Sequence, residues 1–220
     1  MNARAVLSKD RIVEAAAAVA DRGGIATVSM RSVAAELDVE AMSLYHHVAN
    51  KSALLDALAD WAFEQIEAPE VDAPWRSAMA GRARSARSVL VQHPWALGMI
   101  EARPRPGTPL LRHFDRIYGC LLNSGFSAAL ATHLFSAIDA YVYGFALTES
   151  TLPFVPAEGA EKSFAEDVAP SPEEYPHLTR ALGELMGELM GDETYSFADE
   201  FDVGLDLILD GFERRLAQDS

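Results

Sequence analysis

The stretch from Ser29 to Lys51, SMRSVAAELDVEAMSLYHHVANK, leaves this chain few folds to choose from. Val33, Ala34 and Leu37 recur at three- and four-residue spacing behind Ser29, which predicts a short helix capped by that serine and buried along one face. Leu37-Asp38-Val39 then reads as a tight turn. A second helix is expected from Glu40 to about Val48, with Leu44 and Val48 facing inward and Ala41, Met42, Ser43, Tyr45, His46 and His47 on its flanks and outer face. Asn50 is the next N-cap, and Lys51 opens a further helix through Ser52-Ala53-Leu54-Leu55.

Two helices joined by a tight turn, the second carrying an outer face of small, hydroxyl and aromatic side chains, form a helix-turn-helix suited to a major groove. Base edges there offer donors, acceptors and the thymine methyl to such side chains. Lys51 adds a cation beside the free N–H groups of a helix start, where a phosphate sits well. Spacing alone equally admits a small helical subdomain packed on itself.

The flanking sequence is helical throughout. Ser8 caps a first helix to about Arg22, stopped by Gly23-Gly24. The fourth helix, with Leu54, Leu55, Leu58, Trp61, Phe63 and Ile66, is too apolar to serve a small N-terminal bundle alone, so its far half is expected to pack on the C-terminal domain. A domain boundary is placed between residues 56 and 57, with an acidic, proline-bounded loop at Glu67 to Pro74. Beyond Trp75 comes a helix bearing Arg76, Arg82, Arg84 and Arg87, read as a solvated face or else a second nucleic-acid contact. A short piece from Pro94 to Ala102 and two long amphipathic helices, Thr108 to Ser124 and about Phe126 to Thr151, lead to a proline-rich acidic loop at 153–177, whose composition specifies no regular structure. A ninth helix follows Pro176. The tenth, Ser196 to Gln218, has one apolar row including Phe201 and Phe212 and a second at Val203 and Leu207, a pattern that calls for a partner chain. The expected class is all-α, a helix-turn-helix bundle in residues 1–56 and a helical domain in 57–220.

Half of the 220 residues are hydrophobic, enough for a sizeable core. Neither a secretory leader nor an apolar run of membrane-spanning length is read from the sequence, so a cytoplasmic protein is expected. The net charge of −15 opposes nucleic-acid binding until it is located: residues 1–56 carry six Lys and Arg against seven Asp and Glu, whereas residues 57–220 carry twelve against twenty-six. The acidity belongs to the second part, which leaves a nearly neutral head to face phosphates. Cys120, the single cysteine, reads as a small buried apolar residue. The six histidines lack the paired spacing of a zinc site, no nucleophile elbow, phosphate loop or dinucleotide fingerprint is present, and no metal, cofactor or catalytic residue is expected.

Ala34, Leu37-Asp38-Val39, Leu44-Tyr45-His46-His47-Val48 and Asn50-Lys51-Ser52-Ala53-Leu54-Leu55-Asp56-Ala57-Leu58 together resemble the N-terminal domain of the tetracycline-repressor (TetR) family of bacterial transcription regulators. The resemblance implies base and phosphate contacts from Ala41, Met42, Ser43, Tyr45, His46 and His47, and phosphate contacts from Ser29, Arg31 and Lys51. Asp38 stands where a glycine is common, and Ala41 and Met42 replace more polar readers, so the bases read do not carry over.

The stretch from Trp75 to Gly211 resembles that family's C-terminal domain through Arg103-Pro104, Gly125-Phe126, Tyr141 with Gly144, and Gly211-Phe212-Glu213. It implies a small-molecule inducer pocket, assigned to Trp61, Trp95, Met99, Arg103, Phe114, Tyr118, Tyr141, Phe145 and Glu149, with Asp139 and Thr148 as further polar anchors. It also implies a homodimer through the eighth and tenth helices, broken by charge at Phe201 and Phe212. Magnesium-tetracycline repressors have a histidine just ahead of the Arg-Pro pair; Met99, Ile100 and Glu101 occupy that region here, which argues against metal-bound tetracycline as the ligand. The expected function is a dimeric repressor on a palindromic double-stranded DNA operator, released by an inducer. The alternative is a helical small-molecule or protein-binding module without operator binding.

Overall fold

The computed structural model describes residues 6–100, 106–153, 170–189 and 197–219, and every regular element among them is helical. Arg103, Glu101 and residues 154–169 of the expected loop lie outside the described residues. By packing, the chain falls into two compact units: residues up to 147 together with those from 215, and residues 148–214.

In the first unit, α1 (Lys9–Gly23) starts where Ser8 Oγ accepts from the Arg11 N–H at 3.3 Å, and buries Ile12, Val13, Ala16, Val19 and Ala20. A short 3-10 turn at Ile25–Thr27 leads into α2 (Met30–Glu36). Here Ser29 and Ser32 close a reciprocal capping box: Ser29 Oγ accepts from the Ser32 N–H, and Ser32 Oγ accepts from the Ser29 N–H at 2.9 Å. The turn at 37–39 places Asp38 at φ 53, the single positive-φ residue other than glycine among the described residues. That left-handed geometry is the physical reason glycine suits this position. α3 is Ala41–Leu44, shorter than the expected Glu40 to Val48. Tyr45 to His47 continue it only as a tightened turn, with the Tyr45 N–H donating to Met42 O and the His47 N–H to Leu44 O. Leu44 and Val48 are buried, as their spacing predicts.

α4 (Lys51–Glu64) is capped by Asn50 Oδ1, which accepts from the Ala53 N–H at 2.9 Å. It packs on α1 at one end and on α6 (Trp95–Ile100) and α7 (Thr108–Asn123) at the other, and the boundary between residues 56 and 57 falls inside it. α5 (Trp75–Gln92) buries Met79, Arg82, Ala83, Ala86 and Leu90; α7 buries Leu110, His113, Ile117 and Leu121; α8 (Ala128–Thr151) buries Leu130, Leu134, Ile138 and Val142. The arginine stripe of α5 is thus not a uniformly solvated face, because Arg82 lies inside the core. By length and composition α8 would be long and apolar enough to cross a membrane, contrary to the expectation that no such run exists. Its midpoint carries Asp139 in an ion pair with Arg82, the pattern of a core helix rather than of a lipid-facing one.

In the second unit, α9 (Pro176–Leu189) is followed by α10 (Glu200–Asp219), whose last residues, from 215, group with the first unit. Phe201, Leu205 and Leu209 recur every fourth residue and are fully buried, whereas Val203 and Leu207 are largely exposed. Phe201 is therefore a core residue of a single chain, and the row left for a partner is Val203 and Leu207.

Candidate nucleic-acid interface and ligand cavity

The turn after α2 and the short α3 put Met42, Tyr45, His46 and His47 on the surface, Met42 being 71% exposed and Tyr45 46% exposed. Met42 and Tyr45 are held out in water above buried Leu44 and Val48, where an apolar and an aromatic contact are open to a partner surface. Arg31 and Lys51 are exposed on the two flanking helix starts, and Ala41 and Ser43 are half-buried on α3. Ser29 is half-buried with its hydroxyl committed to the capping box, so its part in this surface is first of all to fix the start of α2.

Behind the head, Asp21 of α1 gathers groups from the neighbouring helices. Trp95 Nε1–H donates to Asp21 Oδ1 at 2.6 Å, and His93 Nδ1 lies 2.7 Å from the same oxygen. Trp61 of α4 stacks on Trp95 with ring centroids 6.4 Å apart and meets the His93 ring edge-on at 5.1 Å. Three segments, the end of α1, the far half of α4 and the α5–α6 junction, are joined at one carboxylate and three rings.

A cavity of about 430 Å³ is walled by Phe63 of α4, Leu110 and Phe114 of α7, and Phe135, Ser136, Asp139, Ala140 and Tyr143 of α8. One wall is charged. Asp139 Oδ1 is 2.8 Å from Nη1 of Arg82, whose Nε–H donates to His113 Nε2 at 2.9 Å and whose guanidinium lies over the Phe135 ring at 5.2 Å. Arg82 and His113 are each only 4% exposed. Accepting from an arginine requires the imidazole to be neutral, and burial, with the charges of Arg82 and Arg116, brings its pKa down to about 4. Burial pushes the Asp139 carboxyl up, and Arg82 opposes that shift.

Of the residues read from the sequence as ligand-binding, Phe114 and the further polar anchor Asp139 line this cavity. Tyr118 lies near it, tilted against Phe135 at 6.4 Å with its hydroxyl 3.1 Å from Thr132 Oγ1. Trp61 and Trp95 belong to the Asp21 cluster instead. Met99 is half-buried on α6, Tyr141 packs on Phe145 at 5.9 Å, Phe145 also carries the Arg87 guanidinium at 5.0 Å, and Glu149 is half-buried near the end of α8. Arg82, His113, Phe63 and Tyr143 were not singled out. For Arg82 the signal was present: it stands three residues after Met79 and four before Ala86, on the buried stripe of α5.

Residues 12–58 match the family of bacterial regulatory proteins described as tetR, and residues 68–216 match the tetracyclin repressor-like C-terminal domain. The chain belongs to the TetR family. It is 33% identical over 174 residues, 79% of this chain and 74% of the relative, to an HTH-type transcriptional regulator of Saccharopolyspora erythraea. It is 32% identical over 218 residues, 96% of this chain and 79% of the relative, to the HTH-type transcriptional repressor DrrR1 of Streptomyces coeruleorubidus. Among solved structures, ActR of Streptomyces coelicolor in complex with actinorhodin superposes with a TM-score of 0.71 at 26% identity, covering 94% of this chain and 96% of that one. The TetR family consists of DNA-binding transcription regulators, so this chain is a TetR-family transcription regulator with an N-terminal helix-turn-helix domain and a tetracyclin repressor-like C-terminal domain.

Proposed function

We propose that this TetR-family protein is a ligand-responsive repressor that binds a palindromic operator as a homodimer and is released by a small-molecule inducer. The observation that carries this reading is α4: its first residue, Lys51, stands beside the reader, and Phe63, next to its other end, walls the cavity. A helix of 14 residues spans about 20 Å, so an occupant that displaces Phe63 has a rigid lever to the head. The aromatic cluster around Asp21 gives that lever a defined resting position against α1.

In this reading residues 1–56 are the reader and 57–220 the ligand-binding and dimerising body, acting in the cytoplasm. Each subunit lays α3 in a major groove, with Ala41, Met42, Ser43, Tyr45, His46 and His47 toward base edges and Ser29, Arg31 and Lys51 toward phosphates. The exposed Val203 and Leu207 row of α10 pairs with α8 and α10 of a second copy. Loosening the operator a hundredfold needs an inducer preference of only about 2.7 kcal/mol for the displaced form. The complex of ActR with actinorhodin supports a bound small molecule in a body of this fold.

The test is fluorescence anisotropy with an operator duplex. Tyr45→Ala removes specific binding while the melting temperature holds, and Lys51→Ala lowers affinity for all sequences and reduces the salt slope by about one. Unchanged affinity in both variants refutes the assignment of this surface.

A further inference from the structure

Resting on the reading of α3 as the operator reader, we propose that Met42 is a redox modification site: a peroxide converts its thioether to the sulfoxide, and the oxidised reader loses its operator. Among the methionines whose side chains the structure describes, Met30 and Met79 are buried and Met99 is half-buried, whereas Met42 is 71% exposed on α3 between Ala41 and Ser43. The single thiol is shielded. Cys120 is fully buried, its Sγ–H donates to Ala73 O at 3.5 Å, and burial pushes its pKa up, so little of the reactive thiolate forms. A thioether needs no deprotonation before it is oxidised. Access therefore decides which of these sulfurs reacts, and access selects Met42.

The step is a two-electron transfer. A sulfur lone pair attacks one peroxide oxygen, the S–O bond forms as the O–O bond breaks, and the other oxygen leaves as water, or as an alcohol from an organic hydroperoxide, carrying off the proton of the transferred oxygen. Sulfur is oxidised and the peroxide reduced. The product is polar and chiral, an acceptor without a donor, where the thioether offered an apolar contact to base edges and the thymine methyl. Tyr45, three residues on and 46% exposed, shares that face, so the change falls in the middle of the reader. An operator that covers α3 also covers this sulfur. Oxidation accordingly acts on the released repressor and keeps it off the operator until sulfoxide reductases restore the thioether.

The test treats the full-length protein with hydrogen peroxide, alone and bound to a duplex selected from a random oligonucleotide pool, and follows oxygen uptake at all seven methionines by peptide mass mapping and duplex affinity by fluorescence anisotropy. Met42 is expected to oxidise ahead of Met30, Met79 and Met99, and to be protected by the duplex. Affinity should fall about tenfold or more in step with Met42 oxidation and return after treatment with the reductases for both sulfoxide epimers. Met42→Leu replaces the thioether with an apolar side chain of similar size. Because Met42 belongs to the reader, the variant is judged by the ratio of its own affinities before and after peroxide, expected to stay near one; the reductase arm is read on the natural chain and needs no variant. Undiminished affinity with Met42 oxidised, an equal loss in Met42→Leu, no recovery with the reductases, or Met42 oxidation as fast with the duplex bound as without it overturns the proposal while leaving the reader in place. Untreated protein that enriches no duplex sinks the reader reading and this proposal together.

Discussion

Neutral His113, held inside the core by an arginine, makes stability depend on acid in a calculable way. Its Nε2 accepts from Arg82 at 2.9 Å, so a second ring proton would replace an acceptor with a donor facing a donor, next to two positive charges. The folded pKa is about 4 against an ordinary value of 6.5, so between these limits the unfolded chain binds the proton and the folded chain does not. Stability from this group is therefore fully present above about pH 6.5 and falls as pH drops toward 4. From about pH 7.5 to about pH 5 the loss is roughly 2 kcal/mol, and over the whole window roughly 3 kcal/mol. Asp139 acts oppositely, because a raised carboxyl pKa favours the folded state as pH falls through it. The informative quantity is accordingly the difference between the natural chain and His113→Gln, whose amide oxygen can still accept from Arg82 but does not titrate. Urea unfolding of both at the two pH values should show the variant losing about 2 kcal/mol less. Equal losses in the two proteins would refute a neutral buried imidazole at this position.

Other contacts lead to equally specific outcomes. Asp38→Gly relieves a left-handed φ of 53 in the turn before the reader and should raise stability by about 0.5–1 kcal/mol, seen as a higher melting temperature with operator affinity retained. Asp21→Ala removes the acceptor shared by Trp95 and His93; with the site partly open to solvent, operator affinity should fall about tenfold, while a loss confined to thermal stability would show that the cluster does not position the head. Leu207→Asp should give monomers with weak operator binding, whereas Phe201→Asp should instead unfold the chain, because Phe201 is fully buried without any partner; sedimentation and circular dichroism separate the two.

Helix starts were the most legible part of this sequence. Ser8, Ser29 and Asn50 each accept a first-turn N–H where the local pattern places a cap, and Leu44 and Val48 are buried at the spacing that marks them. These are short-range facts, set by residues within one turn. The outer face of α3 was legible for the same reason, although its helix tightens after Leu44. The cavity was not. Spacing tells which face of a helix turns inward, but not where facing helices leave a volume unfilled, so Phe114 was picked out while Phe63, Phe135 and Tyr143 were not distinguished from ordinary core. Arg82, His113 and Asp139 come from three helices, and although Asp139 reads from the sequence as a polar anchor of the pocket, only their mutual distance shows the three as one buried group. On α10 both apolar rows were visible, and only packing shows that Phe201 serves the chain itself.

The proposed function stands or falls on whether a dimer of this chain reads DNA through α3. Selection of bound duplexes from a random oligonucleotide pool tests this most directly. The expected result is an enriched palindrome whose half-sites are separated by about one helical turn or more, lost when Tyr45 is replaced by alanine. A folded dimer that enriches no sequence would contradict it.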